Sequence, residues 1–263
     1  MKGRVFIIAG SDPSGGAGFQ ADIKTVTALG GYAGAAVTAL TVQNTTGVFA
    51  VHPVPPDIVR AQIEAALDDI GADAIKIGMI GEAETARVIA ALLRRRAIPV
   101  VLDPVLAATS GDALAGEGVA GVLLKELVPL AALATPNADE AAALTGLAIR
   151  TPDDLARAGE ALLRAGAGAA LVKGGHLAGA DVVDMLVEPH GATAFRHPRL
   201  TNAPLHGTGC TLASAIATGL AQGAPLQEAA ARALDFVREA IRTAPDFGAG
   251  ARPLNHIGAS KAL

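Results

Sequence analysis

The residues best suited to chemistry lie in the run Asn202–Thr211, which reads NAPLHGTGCT and leads into the apolar segment Leu212–Leu220. Gly207, Thr208 and Gly209 at the start of a helix would leave several backbone N–H groups unpaired in a tight arc, with the positive end of the helix dipole behind them. Such an arc binds anions, including a phosphate group in transfer. The run therefore predicts an anion-binding site.

Cys210 follows this run and would lie in the first turn of the helix. A thiol at a helix N-terminus is expected to have a lowered pKa, which would make it a better proton acceptor near neutral pH. The alternative is a small buried apolar residue, which is the commonest state of a lone cysteine. The flanking glycines favour the first interpretation.

Five more polar, turn-forming segments follow predicted strands. In an open α/β sheet, ligands bind at the edge formed by the carboxyl ends of the strands. Each segment alone is typical of a turn, because Gly, Pro and Asn favour turns. Five segments at the same edge indicate one binding site. In chain order they are Ala9–Gly18, Val42–Gly47, Asp103–Val105, Thr135–Glu140 and Val172–His176.

Several common motifs are excluded. The sequence contains no Gly-Lys-[Ser/Thr] triplet and therefore no P-loop. A G-x-G-x-x-A run at Gly16 matches a dinucleotide fingerprint, but it begins well after the predicted strand end at Ala9. No acidic residue lies between Asp22 and Asp57, where a ribose ligand would be expected about 20 residues on. The histidines show no zinc-ligand spacing.

Composition excludes further classes. With 21 basic and 25 acidic residues, the net charge of −4 lacks the basic excess of nucleic-acid binders, so no nucleic-acid partner is expected. The apolar stretches are interrupted well before 18 residues, so no membrane partner is expected. One cysteine favours a reducing compartment, and the apolar run Val5–Ala9 is too short for a signal peptide. The expected location is the cytoplasm.

Alternating apolar runs and Ala/Leu-rich segments predict an α/β fold, with a mostly parallel sheet covered by helices on both faces. One domain, 1–263, is expected, with an irregular tail after Pro245. The predicted strands are Arg4–Ala9, Ala35–Val42, Ala74–Ile77, Val100–Leu102, Ala132–Thr135, Ala169–Val172 and Val182–Val187. The predicted helices are Gly16–Leu29, Asp57–Asp69, Glu82–Arg96, Val119–Leu127, Ala138–Thr145, Asp153–Arg164, Thr208–Ala221 and Leu226–Thr243.

One helix start is marked by Thr151, which would cap a helix with Pro152 in its first position and Asp154 three residues after the cap. Gly166 would end that helix.

Specific segments also resemble a known family. They are AGSDPSGGAGFQADIKT (9–25), TALTVQNTTGV (38–48), KIGMIG (76–81), DPVLAATSG (103–111), TPNADEA (135–141), KGGH (173–176) and HGTGCT (206–211). In these segments and their order, the chain resembles the hydroxymethylpyrimidine/phosphomethylpyrimidine kinases of thiamine biosynthesis. That family belongs to the ribokinase-like superfamily, so the resemblance implies a ribokinase-like three-layer sandwich.

The resemblance implies a kinase that uses ATP and Mg²⁺ to phosphorylate 4-amino-5-hydroxymethyl-2-methylpyrimidine and its monophosphate, and it suggests a homodimer. The implied substrate-binding residues are Gly10, Ala17, Asp22, Gln43 and Met79. The implied ATP-binding residues are Asp103, Asn137 and Lys173, with Asp103 and Glu140 near the magnesium ion. The implied catalytic residues are Gly207, Thr208, Gly209 and Cys210.

Several of these residues also fit other interpretations. Gln43 offers the donor and acceptor that match an aminopyrimidine edge, but it could instead cap a strand end. Met79 could be core filler, and Lys173 could be a solvated lysine. Sugar kinases of the superfamily usually carry Asp in place of Cys210, so pyridoxine or pyridoxal kinases with the same cysteine are a close alternative. A non-catalytic module that binds a pyrimidine or vitamin is a third possibility.

Overall fold

The apolar strands predicted from the sequence form a central sheet in the computed structural model of the protein, which describes residues 1–108, 111–112, 114–200 and 204–261. The strands are β1 (Arg4–Ala9), β2 (Tyr32–Val37), β3 (Ala39–Asn44), β4 (Gly47–Pro53), β5 (Ala74–Ile77), β6 (Val100–Leu102), β7 (Leu133–Ala134), β8 (Ala170–Val172), β9 (Asp181–Glu188), β10 (Gly191–Pro198), β11 (Leu205–His206) and β12 (Arg252–Pro253).

The central sheet has the strand order β10-β9-β8-β7-β6-β5-β1-β2. The strands from β8 to β2 pair in parallel, whereas β9 pairs antiparallel with both of its neighbours, β8 and β10. Two small sheets, β3 with β4 and β11 with β12, lie outside it. Since parallel strands end at one edge, the loops that follow β1, β6, β7 and β8 meet there.

Helices cover both faces of the sheet. They are α1 (Gly18–Ala28), α2 (Pro56–Asp69), α3 (Ala83–Leu93), α4 (Val119–Val122), α5 (Ala138–Thr145), α6 (Pro152–Arg164), α7 (Thr208–Ala221), α8 (Leu226–Arg242) and α9 (His256–Ser260). Along β1, Phe6 and Ile8 join one apolar core, and Val5 and Ile7 join the other. The first core includes α2, α3, α5 and α6, and the second includes α1, α7 and α8. The predicted three-layer arrangement is confirmed.

The predicted strand Ala35–Val42 is wrong, because the chain leaves the sheet at Thr38. There the Thr38 hydroxyl donates to the Met79 carbonyl oxygen at 2.6 Å, and β3 turns away to pair with β4. Ala36 before Thr38 and Ala39 after it are both buried, so the sequence shows one continuous apolar run and gives no sign that the strand ends there.

The prediction of an irregular tail after Pro245 is also wrong, because β12 and α9 lie in it. Two and five residues are too few to show a periodic apolar pattern.

The predicted start of α6 is confirmed. Thr151 and Asp154 form a capping box, and Gly166 just beyond the helix has a φ of 110°. Across the described stretches of the chain, no helix combines the length and apolarity needed to cross a membrane.

Candidate active site

A cavity of about 780 Å³ opens at the carboxyl edge of the parallel strands, where the sequence predicts ligand binding. Of the predicted site residues, it is lined by Gly10, Ala17, Gln43, Met79, Asp103, Asn137, Glu140, Lys173, Gly207, Thr208, Gly209 and Cys210. Asp22 does not line it. Of the motif residues named above, Thr109, Ser110, Asn202 and Ala203 lie outside the described residues.

The N-terminus of α7 has the backbone geometry of an anion-binding turn. Gly207 precedes the helix with a φ of 81°, and a Cβ at this position would overlap the carbonyl oxygen of Gly16. No side chain caps this end of α7 in the part of the chain that the structure describes. Its first N–H groups, which have no partners within the helix, therefore remain available to a ligand in the cavity.

The Cys210 side chain borders the cavity and is partly exposed. Burial nevertheless raises the pKa of its thiol to about 12, with Asp22 and Asp103 adding to the rise and Lys76 opposing it. The predicted lowering of this pKa is wrong, because desolvation of the thiolate outweighs the effect of the helix N-terminus. The thiol is thus protonated near neutral pH in the ligand-free protein.

Asp103, Glu140 and Lys173 form a group of charges on the cavity wall that we call the open cluster. Lys173 Nζ lies 3.0 Å from Asp103 Oδ1 and 3.9 Å from Glu140 Oε2. Burial alone would lower the pKa of Lys173, but the two carboxylates outweigh it and raise this pKa. The lysine therefore stays charged beside the cavity, and it is not the freely solvated lysine of the alternative interpretation.

The capping box of α5 holds Glu140, one member of the open cluster, in place. The Asn137 side chain accepts a bond from the Glu140 backbone N–H at 2.9 Å, and the Glu140 carboxylate accepts one from the Asn137 N–H at 2.7 Å. Burial, opposed by Lys173, raises the pKa of Glu140 to about 7. Asn137 and Glu140 are therefore fixed by backbone hydrogen bonds before any ligand binds.

The donor set limits how a metal ion could bind. Among the described residues, no three His, Cys, Asp or Glu side chains are grouped closely enough to hold one. Asp103 and Glu140 offer two carboxylates, and Lys173 already lies between them. Two carboxylates suit Mg²⁺, which keeps several waters and takes its other ligands from nucleotide phosphates. The residues fit a nucleotide-borne ion and do not form an all-protein cage.

Asp22, Lys76 and Ser214 form a second group that we call the sealed cluster. Lys76 Nζ lies 2.9 and 2.8 Å from the two carboxylate oxygens of Asp22, and the Ser214 hydroxyl donates to Asp22 Oδ1 at 2.7 Å. The side chains of Asp22 and Lys76 are 0% exposed. Asp22 therefore does not reach the cavity surface in the ligand-free protein, and its carboxylate already serves partners within the core.

The opposite end of the cavity is organised around Asp12. Its buried carboxylate lies 2.8 Å from His206 Nε2 and accepts bonds from the N–H groups of Ser14 and Ala17 at 2.9 and 2.7 Å. Burial by itself raises the pKa of Asp12, but the bonds from His206, Ser14 and Ala17 outweigh it and hold this pKa below its usual range. The side-chain nitrogen of Gln43 lies 3.2 Å from His206 Nε2.

Sequence reasoning missed Asp12, His206 and Lys76 as site residues. Asp12 and His206 lie in segments singled out for their glycines, and a charged residue within a glycine-rich loop is the signal that could have identified them. Lys76 is the one charged residue in the otherwise apolar strand β5. A single charge in a buried strand is the signal that could have identified it.

Comparison with known proteins agrees with this geometry. The chain matches the family described as phosphomethylpyrimidine kinase over residues 12–255. It is 48% identical to the hydroxymethylpyrimidine/phosphomethylpyrimidine kinase of Rhizobium meliloti, with 95% of each chain covered. It is 49% identical to the thiamine biosynthesis bifunctional protein ThiED of Geobacter sulfurreducens, covering 99% of this chain but only 53% of the length of that relative.

Two solved structures resemble the fold closely. The phosphomethylpyrimidine kinase of Clostridium difficile is 41% identical with a TM-score of 0.81, covering 91% of this chain and 100% of the other. The ADP complex of Bacillus subtilis pyridoxal kinase is 32% identical with a TM-score of 0.90, covering 98% of both chains. The chain belongs to the phosphomethylpyrimidine kinase family.

Proposed function

We propose that this protein is a kinase that transfers the γ-phosphate of ATP to 4-amino-5-hydroxymethyl-2-methylpyrimidine and then to its monophosphate. The observation that carries the proposal is the N-terminus of α7, which is directed at the open cluster. A Cβ on Gly209 would lie 3.1 Å from Lys173 Nζ and 3.6 Å from Asp103 Oδ2. Backbone N–H groups and a lysine thus converge where a phosphate in transfer would lie.

The Asp12 end of the cavity would hold the pyrimidine. Gln43 offers an amide donor and acceptor to an aminopyrimidine edge, and its side chain lies beside His206 at this end of the cavity. Met79 is 7% exposed and borders the cavity beside Gly10 and Ala17, so its thioether would pack on the ring. We do not assign Asp22 to direct contact with the ring.

ATP would lie toward the open cluster, with Lys173 and the α7 N–H groups contacting its γ-phosphate. Mg²⁺ bound to the nucleotide would neutralise part of the phosphate charge. Asp103 and Glu140 would hold that ion through water, while Asn137 keeps Glu140 in place through the capping box.

The hydroxymethyl step needs a proton acceptor. As the alcohol oxygen bonds to the γ-phosphorus, the bond from that phosphorus to ADP breaks and the hydroxyl proton must leave. We assign this proton to the thiolate of Cys210, a minor form near neutral pH. The monophosphate is already mostly ionised near pH 7, since its second pKa is about 6, so the second step needs this acceptor less.

A pyridoxine or pyridoxal kinase is the second candidate. The likeness to the Bacillus subtilis pyridoxal kinase supports it, and both substrates are small methylated nitrogen rings with a hydroxymethyl group. A non-catalytic binding module is less well supported, because Cys210, Gly207, Gly209 and the Asn137–Glu140 pair are all present.

Parallel assays of ADP release would separate these candidates. The purified protein is given ATP and Mg²⁺ with the pyrimidine alcohol, its monophosphate or pyridoxal. We expect two ADP per pyrimidine alcohol, one per monophosphate, and slower release with pyridoxal. Release with pyridoxal alone would establish the second candidate, and binding of the alcohol without ADP release would establish the third.

The proposal also includes one ribokinase-like domain over residues 1–263, a homodimer and a cytoplasmic location, as expected from the sequence. Light scattering after size-exclusion chromatography tests the dimer, and a mass of 26.1 kDa would contradict it.

A further inference from the structure

Cys210 is flanked by two lysines, and the proposed mechanism uses only one of them. Lys173 borders the cavity from the loop after β8 and can reach a phosphate. Lys76, on β5, also lies along the cavity wall, but its side chain has no exposed surface and both carboxylate oxygens of Asp22 hold its ammonium, so it cannot make the same contact without giving up that ion pair. A fully buried ammonium next to a reactive site is costly to keep charged unless its surroundings are built for it.

The surroundings of Lys76 tie it to the first turns of α7. Asp22 on α1 binds the ammonium through both carboxylate oxygens, at 2.9 and 2.8 Å. Ser214 donates to the same carboxylate at 2.7 Å. Since Ser214 follows Cys210 by four residues on α7, the two side chains lie on the same side of the helix.

We propose that Lys76 is a positioning residue for phosphoryl transfer: its buried ammonium supplies a fixed positive charge behind Cys210, and its two contacts with the Asp22 carboxylate hold it there. This inference rests on the proposed function. The charge stabilises the thiolate that accepts the hydroxyl proton. Because both partners of the ammonium are inside the protein, the charge stays in place while nucleotide enters and leaves the cavity.

The charged groups around Cys210 come from four elements. Asp22 faces it from α1, Lys76 from β5, Asp103 from the loop after β6 and Lys173 from the loop after β8. Lys76 and Lys173 favour the thiolate, whereas Asp22 and Asp103 oppose it. Removing Lys76 therefore leaves an excess of negative charge around the sulfur.

Alkylation by iodoacetamide tests this charge directly, because the chain contains one cysteine. The informative comparison is between the unmodified protein, Lys76→Met and the double variant Asp22→Asn/Lys76→Met. Both variants lack the ammonium, and only the first leaves the Asp22 carboxylate without its cation, so the double variant controls for the stranded carboxylate. Asp22→Asn alone is not informative, because a fully buried lysine without its carboxylate gives up its proton. A third variant, Ser214→Ala, keeps both charges and removes one hydrogen bond. Thermal unfolding of each confirms that it is folded.

We expect Lys76→Met and the double variant each to be alkylated about tenfold more slowly than the unmodified protein between pH 7 and 9, which corresponds to one unit in the thiol pKa. Ser214→Ala should react within about twofold of the unmodified protein. With the pyrimidine alcohol, kcat should fall by a similar factor from the unmodified protein to the double variant, with KM unchanged. Alkylation of both folded Lys76 variants as fast as the unmodified protein would overturn the proposal.

Alkylation needs neither ATP nor a pyrimidine. A tenfold difference therefore supports the role of Lys76 even if the protein fails to phosphorylate the pyrimidine alcohol, so the two proposals can fail separately.

Discussion

The sealed and open clusters combine the same groups, a lysine ammonium and carboxylate, in opposite surroundings. Both lysines lie along the cavity wall, but in the sealed cluster the side chains of Lys76 and Asp22 are 0% exposed, whereas in the open cluster the side chain of Lys173 is 14% exposed. A sealed ion pair cannot exchange its partners for water or ligand. An open pair can exchange a carboxylate for a phosphate. The difference indicates a fixed charge on one side of Cys210 and a ligand-binding charge on the other.

Replacing the thiol between the two clusters should have the largest effect. For Cys210→Ala we expect phosphorylation of the pyrimidine alcohol to slow by roughly 10²–10⁴-fold, the usual contribution of a general base. Phosphorylation of the monophosphate should slow much less, because its oxygen carries little proton near pH 7. Rates with each substrate measure both steps. Equal losses would refute the assignment of Cys210 as proton acceptor and would leave it a part of the anion-binding turn.

Lys76→Met should mainly affect folding. It leaves the Asp22 carboxylate buried without its cation, so we expect the free energy of unfolding to fall by about 3–5 kcal/mol. Denaturant titration measures this loss. If the midpoint stays unchanged with Asp22 still buried, the sealed cluster does not support the fold and the contrast between the clusters fails.

Lys173→Met should reduce activity more than stability, which is the reverse of the result expected for Lys76→Met. Its carboxylate partners are only 1% and 8% exposed, but both line the cavity, and Glu140, whose pKa burial raises to about 7, can take up a proton when the ammonium is lost. The free energy of unfolding should therefore fall less than in Lys76→Met. The turnover number should fall by about 10²–10³-fold, because a donor to the transferring phosphate is lost. ADP release and denaturant titration on the same preparation measure both quantities. A stability loss as large as that of Lys76→Met, with full activity retained, would reverse the assignments.

His256 differs from both clusters, because it is a buried titratable group whose hydrogen-bond partner is a neutral hydroxyl and not an opposite charge. Its Nε2 lies 3.0 Å from Thr211 Oγ1, next to Cys210 in sequence, and burial lowers its pKa to about 4. The unfolded chain binds a proton below about pH 6.5, whereas the folded chain does so only below about pH 4. The stability contributed by the neutral imidazole is therefore complete above pH 6.5 and is lost as the pH falls.

We expect this group to make the free energy of unfolding fall by about 1.4 kcal/mol for each pH unit between about 6 and 4.5. His256→Gln can keep a hydrogen bond to Thr211 but does not titrate, so it should show a shallower slope. Denaturant titrations across this range compare the two proteins. Identical slopes would mean that His256 is not held neutral.

The fold was largely predictable because its signals are local. β1, β5 and β6 are short apolar runs bounded by polar or glycine residues, and their predicted limits match the structure. The capping box of Thr151 and Asp154 could also be predicted, because all of its residues lie within four consecutive positions. The position of the cavity followed from the rule for parallel sheets.

The electrostatics of the site were not predictable in the same way. Lys76 and Asp22 are separated by 54 residues, and the sequence does not show that they meet. The pKa of Cys210 depends on how deeply the thiol is desolvated, which only the packed structure determines. Asp22 was recognised as a site residue from its motif, but its contact with Lys76, and not with the cavity, depends on how α1 packs against β5 and α7.

The central claim is that phosphate transfer takes place against the first turn of α7 and Lys173. Gly209→Ala tests it most directly, because the added Cβ would lie 3.1 Å from Lys173 Nζ and would displace the ammonium. Gly121→Ala is the matched control, since Gly121 lies in α4 and a Cβ there meets nothing within 4 Å. Alanine in place of a helical glycine usually adds stability, so unfolding should not explain a loss of activity.

The measurement is the single-turnover rate of phosphoryl transfer from ATP to the pyrimidine alcohol. We predict a fall of about 10- to 100-fold for Gly209→Ala, as expected when a positioned group shifts, and a rate within about twofold of the unmodified protein for Gly121→Ala. Equal rates in the two variants would contradict the account.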